Sequence, residues 1–248
     1  MVAQNPSPRK PPRRPAAGTA AKPSRGWLSR LRRWATRLAV GIAAFFGLLI
    51  LVFSVIPPPI NAYQAYEYFR LGRIDRQWVP MDRIAPVMGR SAVAAEDANF
   101  CIHWGFDMAA IRQAIDEGAN RGASTITQQT VKNVFLWHGH SWPRKALEAA
   151  LTPLVELAWT KRRVLEVYLN VAEFGEGIFG VQAAAQHYFG VDAAALDATQ
   201  AARLAAILPD PKRRDPARPS SFVRRRAQAI AAGARTIAAD GRSACFEG

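Results

Sequence analysis

Between Leu38 and Ile56 the chain reads LAVGIAAFFGLLILVFSVI, 19 residues without a charge. A helix of about that length crosses a hydrocarbon core of about 30 Å. The core helix of a soluble protein would carry a polar face, which this stretch lacks, so it is read as a membrane span. Arg25, Arg30, Arg32, Arg33 and Arg37 stand directly before it, with Trp27 and Trp34 among them. Positive charge flanking a first span is retained on the cytoplasmic side, and tryptophans favour the interface. The N-terminus is therefore expected in the cytoplasm and the rest of the chain outside it. A cleaved signal peptide would end in small residues after a shorter apolar core. Here Pro57, Pro58 and Pro59 follow, and an uncleaved anchor is the better reading.

Charge supports the same division. The 248 residues hold 33 Lys and Arg against 19 Asp and Glu, a net +14. A surplus of that size spread evenly would suggest nucleic acid. Ten of the basic residues lie before residue 57, where no acid occurs, which leaves the remainder at only +4. A nucleic-acid partner is therefore not expected. Residues 5–23 combine Pro, Ala, Lys and Arg with little apolar surface, too little to offset the entropy of ordering. The expected organisation is a largely disordered basic cytoplasmic tail over 1–37, a transmembrane helix over 38–56 and one body over 60–248. Two cysteines, Cys101 and Cys245, are too few for a disulfide scaffold or a Cys-rich zinc site.

The body reads as mainly α. Helix-period patterns cover 84–98, 108–117, 145–159, 162–169, 178–188, 198–208 and 223–239, and strand alternation is scarce. Pro153 is expected to interrupt one of these runs and Pro209 to end another, because proline has no backbone N–H. Lys212, Arg213, Arg214 and Arg218, interleaved with prolines, read as a basic loop.

Five segments carry candidate chemistry. In Glu96-Asp97-Ala98-Asn99-Phe100-Cys101-Ile102-His103-Trp104-Gly105, a helix continued through Phe100 would put Glu96 and Phe100 on one face. An apolar neighbour raises a carboxyl pKa toward values useful to a general base. A buried structural Glu and a hydrogen-bonded core histidine fit these residues equally well. From Arg121 to Asn133, seven of thirteen residues are uncharged and bear hydroxyls or amides, groups suited to a sugar- or phosphate-rich ligand. A helix capped by Ser124 with a solvated polar face is the plain alternative. Arg144-Lys145-Ala146-Leu147-Glu148 offers an ion pair at i,i+4 spacing. The segments 161–170 and 175–190 mix apolar helix faces with glycine turns and read mainly as scaffold.

Together, in this order and spacing, the five segments resemble the peptidoglycan glycosyltransferase family, the glycan-polymerising domain of class A penicillin-binding proteins. The shared patterns are E-D-x-x-F-x-x-H-x-G, G-[GA]-S-T-I-T-Q-Q-x-x-K-N, R-K-x-x-E, K-x-x-[IV]-L-E-x-Y-L-N and G-x-x-G-x-x-A-A-x-x-x-Y-F-G, spread over residues 96–190. The stretch 201–211 is similar as well. With no room after residue 190 for a transpeptidase domain, the monofunctional, single-pass version is expected. The resemblance implies a lysozyme-like helical domain behind a single N-terminal transmembrane helix, placed in the bacterial inner membrane with its catalytic domain in the periplasm. It implies a transferase of peptidoglycan synthesis, acting in cell-wall biogenesis and cell shape. Its substrates would be lipid II and the growing glycan strand, with other cell-wall synthesis and division proteins as candidate partners.

By matching positions, Glu96 would be the general base on the acceptor 4-hydroxyl, and Glu148 the second catalytic acid, on the leaving-group side. Lys132, Arg144 and Lys145 would supply positive charge near the pyrophosphate. Asp97, Phe100, His103, Gly122, Ser124, Thr125, Gln128, Gln129 and Asn133 would complete the substrate site. A divalent cation, Mg or Mn, has a place near the pyrophosphate, its ligands unknown, and no organic cofactor is expected. Displacement of the polyprenyl pyrophosphate in one step would invert the sugar. One position departs from the pattern, with His140 where members often carry Arg. Cys101 could pair with Cys245 in an oxidising periplasm, but unpaired thiols are the expectation. Two rivals share the fold or the surface: a lysozyme-like peptidoglycan-cleaving hydrolase and a non-catalytic cell-wall scaffold. The Lys and Arg motifs weigh against the first, and the presence of both Glu96 and Glu148 against the second.

Overall fold

The computed structural model describes residues 25–118, 122, 124–139 and 141–247. The tail before Arg25, Arg121 and His140 lie outside the described residues. The chain falls into two compact units, 1–45 and 46–248.

Helix α1 (Arg25–Phe53) begins well ahead of Leu38, so the arginine cluster is helical as well. Within the first unit Leu38, Val40, Ile42 and Phe45 are all exposed, an apolar surface on every side, as a lipid-facing helix requires. Among the described residues this is the one helix long and apolar enough to cross a membrane by length and composition. The protein is thus a mainly α domain behind a single N-terminal span.

The second unit opens with the last turns of α1. Ile50 is buried, and its carbonyl accepts a hydrogen bond from Trp159 Nε1 at 2.7 Å. The Arg163 guanidinium donates to the carbonyls of Phe53 and Ile56. There follow α2 (Ala62–Leu71), β1 (Asp75–Arg76), α3 (Pro86–Glu96), α4 (Met108–Asp116), α5 (Ile126–Phe135), α6 (Trp142–Ala158) and α7 (Lys161–Val171). The chain continues through β2 (Glu173–Gly175), β3 (Ile178–Phe179), α8 (Val181–Phe189), α9 (Ala198–Ile207), α10 (Ser221–Ala239) and α11 (Ala244–Glu247).

Two helix groups make the core. In one, α3, α9 and α10 pack together. Buried Ala201, Ala202, Ala205 and Ala206 of α9 and Ala227 and Ala234 of α10 keep the side chains short enough for close approach. In the other, α5 lies against α6 and α7. Helix α7 is buried nearly all round, from Val164 and Leu165 through Val167 to Val171, as a helix apolar on most sides must be. The small sheet runs β1-β3-β2, with Asp75 and Arg76 parallel to Ile178 and Phe179, and an irregular antiparallel β2–β3 pair.

Several expectations give way to local physics. The pattern over 178–188 divides because Gly180 turns the chain at φ +87°, a conformation only glycine adopts readily, so Ile178 and Phe179 pair as strand and the helix starts at Val181. Pro153 does not interrupt α6, which runs through it. It forfeits the bond to the carbonyl four residues back, and buried Leu151, Thr152 and Val155 around it hold the helix together. Helix α3 stops at Glu96 instead of reaching Phe100, since Asp97 leaves helical geometry at φ −161°. The cap of α5 is Thr125 rather than Ser124. Contrary to expectation, Cys101 and Cys245 form a disulfide across a sequence separation of 144.

Candidate active site

The end of α3 is shaped by Asp97. Its carboxylate accepts from the backbone N–H of Ile126 at 3.0 Å and lies 2.8 Å from His103 Nε2. A carboxylate at the first turn of a helix satisfies an orphan donor and the helix dipole together. This pulls the chain out of α3 and docks it on the start of α5. Thr125 completes that start, with its hydroxyl accepting from Gln128 N–H and donating to the Gly105 carbonyl at 2.7 Å, while Gln128 Oε1 accepts from Thr125 N–H. With α5 fixed in this way, Gln129 and Lys132, three apart and so on one face, are carried toward Glu96.

Gln129 Nε2 donates to Glu96 Oε2 at 2.9 Å. Tyr168, fully buried on α7, donates its hydroxyl to Gln129 Oε1 at 3.5 Å, which orients the amide with its donor toward Glu96. The other carboxylate oxygen, Oε1, is buried and has no hydrogen bond among the described residues. The Arg226 guanidinium of α10 lies 3.7 Å from it. Burial pushes the Glu96 carboxyl above the ordinary carboxylate range, and Asp97 adds to the rise; Gln129, Arg226 and Lys132 oppose it. Glu96 and Asp97 line a cavity of about 270 Å³ whose walls include Asn99, Asp107, Gly122 and Ser124.

Lys132 makes no ion pair among the described residues. Burial lowers its pKa; the fields of Glu148 and Glu96 raise it, and those of Arg144 and Lys145 lower it further. Lys132 thus lies within the field of both carboxylates. Together with Gln129 and Asn133 it lines a second cavity, of about 450 Å³, which His138, Tyr63 and Lys212 also border. Burial and the surrounding cations hold His138 down at about 4, so its ring is neutral at physiological pH. On α6, Arg144 Nη1 meets Glu148 Oε2 at 2.8 Å and Lys145 Nζ meets Glu148 Oε1. Arg144 Nε also donates to the Gly139 carbonyl at 2.8 Å. Glu148 is buried with both oxygens engaged, so its geometry is that of a tie fixing two cations.

The candidate residues therefore separate. Glu96, Gln129 and Lys132 converge, and Arg144, Lys145 and Glu148 form an adjoining cationic cluster. Gly122 and Ser124 face the first cavity, and Asn133 the second. Asp97, Thr125, Gln128 and His103 are engaged in holding the α3–α5 junction. Phe100 is fully buried, with the Lys161 ammonium 4.5 Å from its ring centre. Sequence reasoning did not single out Arg226 or Tyr168, nor the network in which Lys212 Nζ meets Glu67 Oε1 at 2.8 Å and Tyr63 donates to Glu173 at 2.8 Å. Among the described residues no group of three or more His, Cys, Asp or Glu could hold a metal ion. With both its oxygens taken by Arg144 and Lys145, Glu148 does not suit a divalent cation.

The site thus sets a buried carboxylate with raised proton affinity beside lysine and arginine in a helical body. The chain belongs to the transglycosylase family, whose pattern it matches over residues 64–235. It is 62% identical over 216 residues to the biosynthetic peptidoglycan transglycosylase of Jannaschia sp. (strain CCS1), covering 87% of this chain and 90% of that protein. Similar proteins of the same description occur in Xanthomonas axonopodis pv. citri (strain 306), 48% identical over 231 residues (88% and 92% covered), and in Escherichia coli O17:K52:H18 (strain UMN026 / ExPEC), 50% identical over 211 residues (80% and 87%). Glycosyl transfer is the activity that family membership carries.

Proposed function

We infer that this transglycosylase polymerises peptidoglycan glycan strands from lipid II, with Glu96 as the general base. The observation that carries the reading is the state of Glu96. Its carboxylate is oriented by Gln129, burial raises its proton affinity, and one buried oxygen lacks a hydrogen bond among the described residues. A base raised toward neutrality accepts a hydroxyl proton more readily than an ordinary surface carboxylate. The acceptor 4-hydroxyl gives its proton to Glu96 while its oxygen attacks the anomeric carbon of the donor. The bond from that carbon to the pyrophosphate breaks, with inversion and without a covalent sugar intermediate.

Pyrophosphate leaves readily if its charge is met. Lys132, without an ion pair among the described residues, and Arg144 and Lys145, held by Glu148, supply positive charge fixed before the reaction. Glu148 acts through those two side chains. The exposed apolar helix, with its arginines before Leu38, supports a single-pass anchor whose N-terminus is cytoplasmic. Enzyme and lipid-linked substrate would then share one membrane and stay concentrated near each other.

The test is incubation of the purified full-length protein with lipid II, followed by separation of the products. Lipid II should be converted to glycan polymer, and Glu96→Gln should slow this by about two to four orders of magnitude in a folded protein. Shortening of preformed strands with lipid II untouched would point to a hydrolase. Near-normal polymerisation by Glu96→Gln would remove Glu96 from the role of base.

A further inference from the structure

The turn that follows Glu96 has little structure of its own. Between α3 and α4 it has two local backbone bonds, Phe100 N–H to the Asp97 carbonyl and Ile102 N–H to the Asn99 carbonyl, and three side-chain ties: Asn99 Nδ2 donates to Asp107 at 2.8 Å, His103 Nε2 lies 2.8 Å from Asp97, and Lys161 Nζ donates to the His103 carbonyl at 2.9 Å. Ala98, Ile102 and Trp104 are exposed. Yet this turn sets the position of Glu96 and, through Asp97, that of α5 with Gln129. A second set of ties, on the side of Ala98 and Cys101, comes from the far end of the chain. Arg242 Nη1 donates to the Ala98 carbonyl at 3.1 Å, and Asp240 in turn holds the Arg242 guanidinium. Cys245 of α11 is bonded to Cys101. Phe246, fully buried, packs its ring 6.3 Å from that of Phe100. The same segment is fixed to the rest of the body independently, since Arg162 of α7 donates to the Phe246 carbonyl and Arg90 of α3 lies 3.4 Å from the Glu247 carboxylate.

We propose that the Cys101–Cys245 disulfide is a positioning element of the catalytic site, clamping residues 240–247 onto the turn and so holding Glu96 in register with Gln129. A disulfide placed only to stabilise the chain could join any two neighbouring surfaces. This one joins the segment next to the base to a segment anchored on α3 and α7. The inference rests on Glu96 as the base, and its test is built so that the two readings fail separately.

Full-length protein exported to an oxidising compartment is compared before and after treatment with dithiothreitol. The reagent passes two electrons and two protons to the S–S bond, releasing two thiols, and itself closes to a cyclic disulfide. Cys101→Ser and Cys245→Ser are prepared alongside. Thiol counting should find none in the exported protein and two after reduction. Hydrogen exchange over residues 97–103 should rise tenfold or more on reduction, with the amides of α9 unchanged. Turnover of lipid II should fall about fivefold with KM within twofold, and the acid limb of the pH profile should move, because the surroundings of Glu96 change. A merely structural staple would leave turnover and pH profile as they were in protein that stays folded. Unchanged exchange over 97–103, unchanged turnover and pH profile, two free thiols in the exported protein, or global unfolding on reduction at 10 °C would each overturn the proposal. If the serine variants fail to fold, the chemically reduced protein carries the same comparison. If the oxidised protein leaves lipid II untouched, the polymerase reading falls, and hydrogen exchange alone decides the clamp.

Discussion

Gln129 Nε2 and Glu96 Oε2 lie 2.9 Å apart, and the amide is turned into this contact by Tyr168 on its other side. A donor to a carboxylate favours its charged form and therefore holds the Glu96 pKa lower than burial alone would leave it. Gln129→Ala removes the donor. The carboxyl should then protonate at higher pH, and kcat/KM at neutral pH should fall about tenfold, in line with about 1.5–3 kcal/mol for a hydrogen bond to a charged group. Part of the loss should return at alkaline pH. The measurement is the pH profile of lipid II consumption; a profile displaced toward acid, or an unaltered one, would contradict the assignment.

Stability should move the opposite way to activity at Glu96. Its folded-state pKa is raised, with burial the main cause. The stability linked to this carboxyl is therefore fully present below the unfolded-state value and lost as pH rises through the raised folded value. Glu96→Gln cannot ionise and escapes that loss. Thermal unfolding at pH 8 should give the variant a higher Tm than wild type, with the difference closing as pH is lowered toward 4. A variant less stable than wild type at pH 8 would mean that the ionised carboxylate is a net stabiliser, held by Arg226 more tightly than the 3.7 Å separation suggests.

What the sequence made legible, and what it hid, follows from the range of the forces involved. The span was visible because an uncharged run needs no partner to be recognised. Glu96, Gln129 and Lys132 were visible through spaced motifs, and the structure brings them together because Asp97 links the end of α3 to the start of α5. Helix α5 itself was harder to read, since its buried Ile126, Thr127, Thr130 and Val131 include hydroxyl residues that periodicity counts as polar. Arg226 and Tyr168 stand far along the chain from Glu96 on helices that look like scaffold, and only packing reveals them. The disulfide was misjudged because two cysteines in a long chain carry no information on distance.

The turn into α8 rests on Gly180, which adopts φ +87° with an added Cβ only 2.9 Å from the backbone oxygen of Asn170. Asn170 cannot yield. Its side chain donates to the Val79 and Glu166 carbonyls and accepts from Val79 N–H, joining α7 to the segment after β1. Gly180→Ala combines left-handed strain with a backbone clash and should cost about 3 kcal/mol, or about 10 °C in Tm for a domain of this size. Differential scanning calorimetry decides the matter, and a Tm within about 2 °C of wild type would show that the turn relaxes without cost.

The last prediction concerns the surface beside the first cavity. Ile102 and Trp104, in the turn after Glu96, are 72% and 62% exposed, and Met108 and Ile115 of α4 are 54% and 69% exposed. Met108 and Ile115 are seven apart and share a face of the helix. Apolar side chains this exposed and this close in the chain suit contact with a lipid surface, the phase that would hold a lipid-linked substrate. A protein lacking residues 1–45 keeps Ile50 and Phe53, which pack into the body, and should bind phosphatidylcholine vesicles in a flotation assay. Leu51 at the retained end of α1 and Val55 just after it are also exposed, so the informative quantity is a difference. Trp104→Ser with Ile115→Ser should weaken partitioning tenfold or more, since burying each such side chain is worth about 1.5–3 kcal/mol. Zwitterionic vesicles keep the basic surplus of the body from dominating the result. Equal binding by the parent and the double variant would show that this surface does not touch the bilayer.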